Sequence, residues 1–103
     1  MKVYFTTEEL KNFYEISLDE IRGKRRFPTE VFKQYKKRVH LLIEITKLEE
    51  LKAHRGLYFE YLKGERKGQC SLRLNDQYRL ILTPIDEKTI QVILINEISK
   101  HYE

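Results

Sequence analysis

The sequence predicts an α+β fold in the order β-α-α-β-β-β-β, with two N-terminal helices packed on one face of a mainly antiparallel sheet. Apolar residues keep a helical spacing through the first half of the chain and change to a period of two from Leu57 onward. Turn-forming residues divide that second half into four short segments. The run Ile90, Val92, Ile93, Leu94, Ile95 is apolar almost without alternation, as expected of an interior strand covered on both faces.

Lys2 to Phe5 (Lys-Val-Tyr-Phe) is short and β-prone and leads into Thr6-x-x-Glu9, which has the form of a capping box, with Phe5 and Leu10 placed as a hydrophobic staple. Leu10, Phe13, Tyr14, Leu18 and Ile21 then predict a single helix to about Ile21, ended by Gly23. Pro28 and Thr29 start a second helix with Phe32, Tyr35, Val39, Leu42, Ile43 and Thr46 on one stripe and Lys33, Lys36, Lys37 and Arg38 on the other face. Residues 49–56 read as a turn or loop. Strands follow at 57–62, 69–74, 78–83 and 89–95, separated by Gly64 to Gly68, Asn75 to Gln77 and Pro84 to Lys88.

The chain of 103 residues has room for one domain, 1–103, and its 41% apolar content is that of a globular protein. A single cysteine, Cys70, excludes an intrachain disulfide and cysteine-rich zinc folds. No apolar run reaches the ~18 residues of a membrane span. The start, with Lys2, Glu8 and Glu9, lacks the apolar segment of a signal peptide, so a cytoplasmic protein is expected. The 20 basic residues outnumber the 16 acidic ones modestly, yet between Arg22 and Arg38 eight cations face one carboxylate. A net +7 there suits a phosphate backbone or an acidic partner, and equally suits a solvated helix face.

The third and fourth strands carry the most informative pattern. Cys70, Leu72 and Leu74 alternate with Gln69, Ser71 and Arg73, and Tyr78, Leu80 and Leu82 with Arg79, Ile81 and Thr83. Both apolar sets face the helices only if the hairpin loop has an odd length, because a one-residue slip turns every side chain over. The loop Asn75, Asp76, Gln77 satisfies this and sets Arg73 opposite Arg79 on the outer face. Opposed like charges destabilise a sheet. Either a phosphate bridges the two guanidiniums, or each pairs with a carboxylate such as Glu60 or Glu65. Lys63, Arg66 and Lys67 add cations beside the hairpin. Cys70 faces the predicted core as a small hydrophobe, and His40 and His54 read as packed or solvated residues.

The segment Leu62-Lys63-Gly64-Glu65-Arg66-Lys67-Gly68-Gln69-Cys70-Ser71-Leu72-Arg73-Leu74-Asn75-Asp76-Gln77-Tyr78-Arg79-Leu80 resembles the toxin family containing RelE, ParE and HigB, and most of all its HigB branch. The resemblance runs through the opening strand, both helices and the ending Asn96-Glu97-Ile98-Ser99-Lys100-His101-Tyr102. It implies a ribosome-dependent mRNA endoribonuclease that inhibits translation, without cofactor or metal, encoded with a helix-turn-helix, HigA-like antitoxin. By that likeness the toxin alone is a monomer and the complex a heterotetramer.

Residue by residue, the resemblance makes Lys63, Arg73, Arg79 and His101 catalytic, with Arg79 contacting phosphate and Glu60 a second candidate base. It assigns RNA contacts to Arg66, Lys67 and Tyr102, and ribosomal RNA contacts to the basic residues Arg25, Arg26, Lys33 and Lys37. Some HigB relatives have a histidine two residues before Leu-Lys-Gly, where this chain has Glu60 and Tyr61, and a tyrosine before the last histidine, where it has Lys100. Two other activities fit the same resemblance: a ParE-like toxin acting on DNA gyrase, and a non-catalytic ribosome-binding module.

Overall fold

The computed structural model describes residues 1–21, 27–87 and 90–100. Among them the strands β1 (Lys2–Phe5), β2 (Glu60–Tyr61), β3 (Cys70–Arg73), β4 (Tyr78–Glu87) and β5 (Ile90–Lys100) form one sheet in the order β1-β5-β4-β3-β2. Only β1 and β5 pair in parallel. The helices α1 (Glu8–Glu15), α2 (Leu18–Ile21) and α3 (Thr29–Glu44) contribute Leu10, Phe13, Ile21, Val31, Phe32, Tyr35, Val39 and Leu42 to a core shared with Leu72, Leu80, Leu82, Ile93 and Ile95. The α+β class and the interior position of the last strand are as the sequence predicts. Val92 and Ile93, neighbours on opposite faces of β5, are both buried.

Several boundaries differ for physical reasons. Thr7, not Thr6, caps α1: its hydroxyl accepts from the Leu10 amide at 3.1 Å, while the Thr6 hydroxyl donates to the Ile95 carbonyl at 2.8 Å and ties β1 to β5. The predicted single first helix breaks at Ile16, which is extended. There Ser17 begins a new turn by accepting from the Glu20 amide, and the Lys36 ammonium donates to the carbonyls of Tyr14 and Ile16. Lys36 therefore fastens α3 to the break and is not part of a solvated basic face.

The second helix stops at Glu44, so Thr46 lies beyond it, and Ile43 is exposed rather than part of the buried stripe. The predicted loop 49–56 is wound into two 3₁₀ turns, Leu48–Ala53 and Arg55–Leu57. Glu50 holds the first by accepting from the amides of Thr46 and Lys47, each at 2.8 Å, and these hydrogen bonds keep its carboxyl below the ordinary value. The strand predicted at 57–62 is reduced to Glu60–Tyr61.

Strands β4 and β5 are longer than predicted. Pro84, expected in a turn, lies within β4 opposite Ile93, past Leu82, whose pair with Cys70 is the outermost between β3 and β4. One flank of β4 is open there, so a residue without an amide proton is tolerated. β5 runs on to Lys100, paired with Tyr78, after an irregularity that leaves Asn96 outside the pairing.

Tyr35 is fully buried, and its hydroxyl donates to the Leu10 carbonyl at 2.7 Å, joining α3 to α1. Burial pushes that phenol well above its ordinary pKa. Tyr35→Phe is expected to lower unfolding stability by about 0.5–1.5 kcal/mol, read by urea denaturation, since one internal hydrogen bond is lost with little change of shape. Cys70 is buried as expected, and burial pushes its thiol up to about 11.

Candidate active site

The register across β3 and β4 is the one the three-residue loop requires: Leu72 opposite Leu80, Cys70 opposite Leu82, and Arg73 opposite Arg79. The loop is shaped by Asn75, whose side-chain oxygen accepts from the amides of Gln77 (2.9 Å) and Tyr78 (2.8 Å). Such an Asx turn replaces backbone pairing where the chain reverses. Glu60 pairs with Ser71, and Ser71 is small and buried. Arg79 reaches past the Ser71 hydroxyl (3.5 Å) to donate to Glu60 Oε1 at 2.6 Å.

Arg73 donates to the Asp76 carboxylate, and its guanidinium lies 5.3 Å from the centroid of the Tyr58 ring. Each arginine thus has a carboxylate, Glu60 for one and Asp76 for the other. Beneath the hairpin, Arg38 Nε donates to the Arg73 carbonyl at 3.4 Å, and burial pushes the Arg38 pKa down. Arg38 supports the site from α3, contrary to its expected place on a solvated face.

Tyr58, Glu60, Arg73, Asp76 and Arg79 line a cleft of about 360 Å³ together with Phe59 and Asn75. Of the sequence-predicted residues, the fold brings Glu60, Arg73 and Arg79 into it. Lys63, Arg66 and Lys67 are exposed and are not among its lining residues. Arg66 turns instead to Gln69 (3.1 Å) and to Glu97 of β5 (2.8 Å). Gly64 and Gly68 have φ of +66° and +96°, which accounts for glycine on either side of this cationic loop. Lys33 and Lys37 are exposed on α3. His40 is at the surface with Glu44 2.8 Å away, and His54 is exposed between the 3₁₀ turns. Arg25, Arg26, His101 and Tyr102 lie outside the described residues.

Tyr58, Phe59 and Asp76 are cleft residues that the sequence did not single out. Asp76, three positions from Arg73 in a tight loop, is a signal that strand pairing alone could have supplied. Tyr58 is at φ +47° and ψ +46°, a left-handed conformation that no feature of its own sequence announces. Chemically, two guanidinium forks can hold a phosphate through paired N–H donors, and a carboxylate beside them can take a proton from a hydroxyl. Among the described residues no group of three histidine, cysteine or acidic side chains is arranged to hold a metal ion, and no helix is long and apolar enough to cross a membrane.

Comparison with known proteins agrees with this architecture. The family described as HigB-like toxin, the RelE-like toxin of the type II toxin-antitoxin system HigB, matches residues 3–96. Toxin HigB-1 of Vibrio cholerae is 32% identical over 94 residues, covering 91% of this chain and 95% of that protein. Among solved structures, the fold is similar to a YoeB/ParE toxin from Agrobacterium tumefaciens (TM-score 0.54, 19% identity, 99% of this chain and 100% of that one). It is also similar to the YoeB-YefM complex from Staphylococcus aureus (TM-score 0.57, 20% identity, 99% of this chain and 98% of that one). The match over nearly the whole chain places this protein in the HigB-like family of RelE-like toxins of type II toxin-antitoxin systems.

Proposed function

We propose that the protein cuts mRNA on translating ribosomes and that the Arg73–Arg79 pair seats the scissile phosphate. The observation that carries this reading is the register: two partly exposed arginines directly opposed on neighbouring strands, with Glu60 2.6 Å from one of them. Two positive charges set side by side cost stability unless something negative occupies the space between them. Here Arg79 pairs with Glu60 and Arg73 with Asp76, and an RNA phosphate would compete with both carboxylates.

In the proposed route the 2′-hydroxyl of one nucleotide attacks the adjacent phosphorus in line. The P–O5′ bond breaks, giving a 2′,3′-cyclic phosphate and a 5′-hydroxyl. Glu60 takes the proton of the attacking hydroxyl, and the arginines stabilise the added negative charge of the pentacoordinate phosphorus. His101, whose side-chain type exchanges protons near neutral pH, protonates the leaving oxygen. Lys63 contributes positive charge from outside the cleft. Lys33 and Lys37, with Arg25 and Arg26, dock the toxin on ribosomal RNA, so binding weakens as salt rises. The natural inhibitor is a cognate antitoxin of helix-turn-helix type.

Mapping mRNA 5′ ends in a translating extract tests the function. The expected result is codon-phased cuts bearing 5′-hydroxyls that appear only with ribosomes. Uncut mRNA would overturn the reading, and uncut mRNA together with DNA damage in cells would indicate action on gyrase instead.

A further inference from the structure

Tyr58 and Phe59 are shared by two clefts. Besides the cleft of the arginine pair, the same two residues line another cleft of about 340 Å³, completed by Leu51, Lys52, His54 and Arg55. We propose that this second cleft holds a neighbouring phosphate of the same single-stranded RNA, with Tyr58 as the surface on which the intervening base stacks. The proposal rests on the mRNA reading above and extends its substrate to a strand that continues past the cut.

Two independent features support it. The first is charge. Lys52, Arg55 and His54 are all exposed, and among the described residues the lining of this cleft contains no carboxylate, whereas the first cleft contains two. Glu50, the acidic residue closest in sequence to Lys52, is engaged with Thr46 and Lys47. Lys52 lines this cleft, and its ammonium lies 5.5 Å from the centroid of the Tyr61 ring. A cleft lined by cations and by no carboxylate is suited to an anion.

The second feature is Tyr58 itself. A bulky residue in the left-handed region carries a conformational cost of order 1–3 kcal/mol, and such positions persist where function requires them. Burial gives little in return, since Tyr58 is 64% exposed. What the conformation achieves is to set the ring beside the Arg73 guanidinium, at the boundary of both clefts. Aromatic rings beside cationic grooves bind single strands by stacking, with little dependence on which base is present.

Fluorescence anisotropy with 2′-O-methyl oligonucleotides, which cannot be cleaved by 2′-hydroxyl attack, tests the proposal. A tetranucleotide is compared with a dinucleotide on the wild-type protein, on Lys52→Ala/Arg55→Ala, on Tyr58→Leu, and on Lys2→Ala/Lys11→Ala as a charge control. Circular dichroism checks that each is folded. The wild type and the control are expected to bind the tetranucleotide about five-fold or more tightly than the dinucleotide. Lys52→Ala/Arg55→Ala should lose that advantage and reduce the slope of log affinity against log salt by roughly 0.7, the effect of one single-strand phosphate contact. Tyr58→Leu should weaken the tetranucleotide by about five-fold or more.

Equal affinity for both lengths, or a length advantage that survives the double substitution, would overturn the second site. If the length advantage behaves as expected but ribosomal mRNA is not cut, the subsite stands and the cleavage reading falls. Codon-phased cutting without the length advantage leaves the cleavage reading in place and removes the subsite.

Discussion

Arg79→Ala is expected to lower mRNA cleavage on translating ribosomes by about 10²–10³-fold, the usual cost of removing one preorganised donor to developing negative charge. Its effect on folding should be small. The Arg79 side chain is about a quarter exposed and Glu60 about half exposed, and ion pairs so open to water contribute about 0–1 kcal/mol. The contrast between a large kinetic and a small thermodynamic effect identifies a functional group. Arg79→Lys should recover only part of the activity, because an ammonium keeps the charge and loses the planar fork. Glu60 and Arg79 touch, so the double variant should cost less than the two single losses multiplied. Single-turnover cleavage and urea melts on the same preparations provide the check. Full cleavage by Arg79→Ala would remove the residue from the mechanism.

Phe32→Ala is expected to have the largest effect on stability, about 3–5 kcal/mol. Against a total of about 5–15 kcal/mol for a chain of this size, such a loss leaves many preparations partly unfolded at 37 °C. Phe32 lies at the centre of an aromatic cluster, 4.8 Å from the Phe13 ring and 5.7 Å from Phe27, with Phe27 in turn 5.4 Å from Tyr78. The cluster joins α1, α3 and the first residue of β4, immediately before Arg79. Phe32→Leu keeps most of the volume and should cost much less. The midpoint of urea unfolding, with an unchanged slope, separates the two variants. If Phe32→Ala melted like the wild type, the cluster would not be the anchor of the helical layer.

Much of this was legible in the sequence because it depends on parity and periodicity. The alternation around Asn75 to Gln77 admits only an odd loop, and that is enough to oppose Arg73 and Arg79 before any coordinates exist. The apolar run of β5 likewise identifies an interior strand. Hydrogen bonds from distant residues were not legible. The first helix is broken with help from Lys36, some twenty residues away, and Thr6 is drawn from its expected cap by a carbonyl near the other end of the chain. Tyr58 in a left-handed conformation and Asp76 beside Arg73 are likewise tertiary choices, and they shape the cleft as much as the residues the motif picks out.

The parallel pairing of β1 with β5 has a consequence for how the protein comes into being. Lys2 meets Val92 across 90 positions of sequence, so β1 waits for β5 before its edge is satisfied. Contacts of such long range are slow to close, because chain entropy must be lost before they contribute anything. The β3–β4 hairpin with its arginines can form early from local contacts, but the sheet behind it is completed only when β5 inserts between β4 and β1. Until β5 is in place, the hairpin that carries Arg73 and Arg79 stands on an unfinished sheet. Completion of the sheet is thus timed by one strand, β5, on which both β1 and β4 depend for a neighbour.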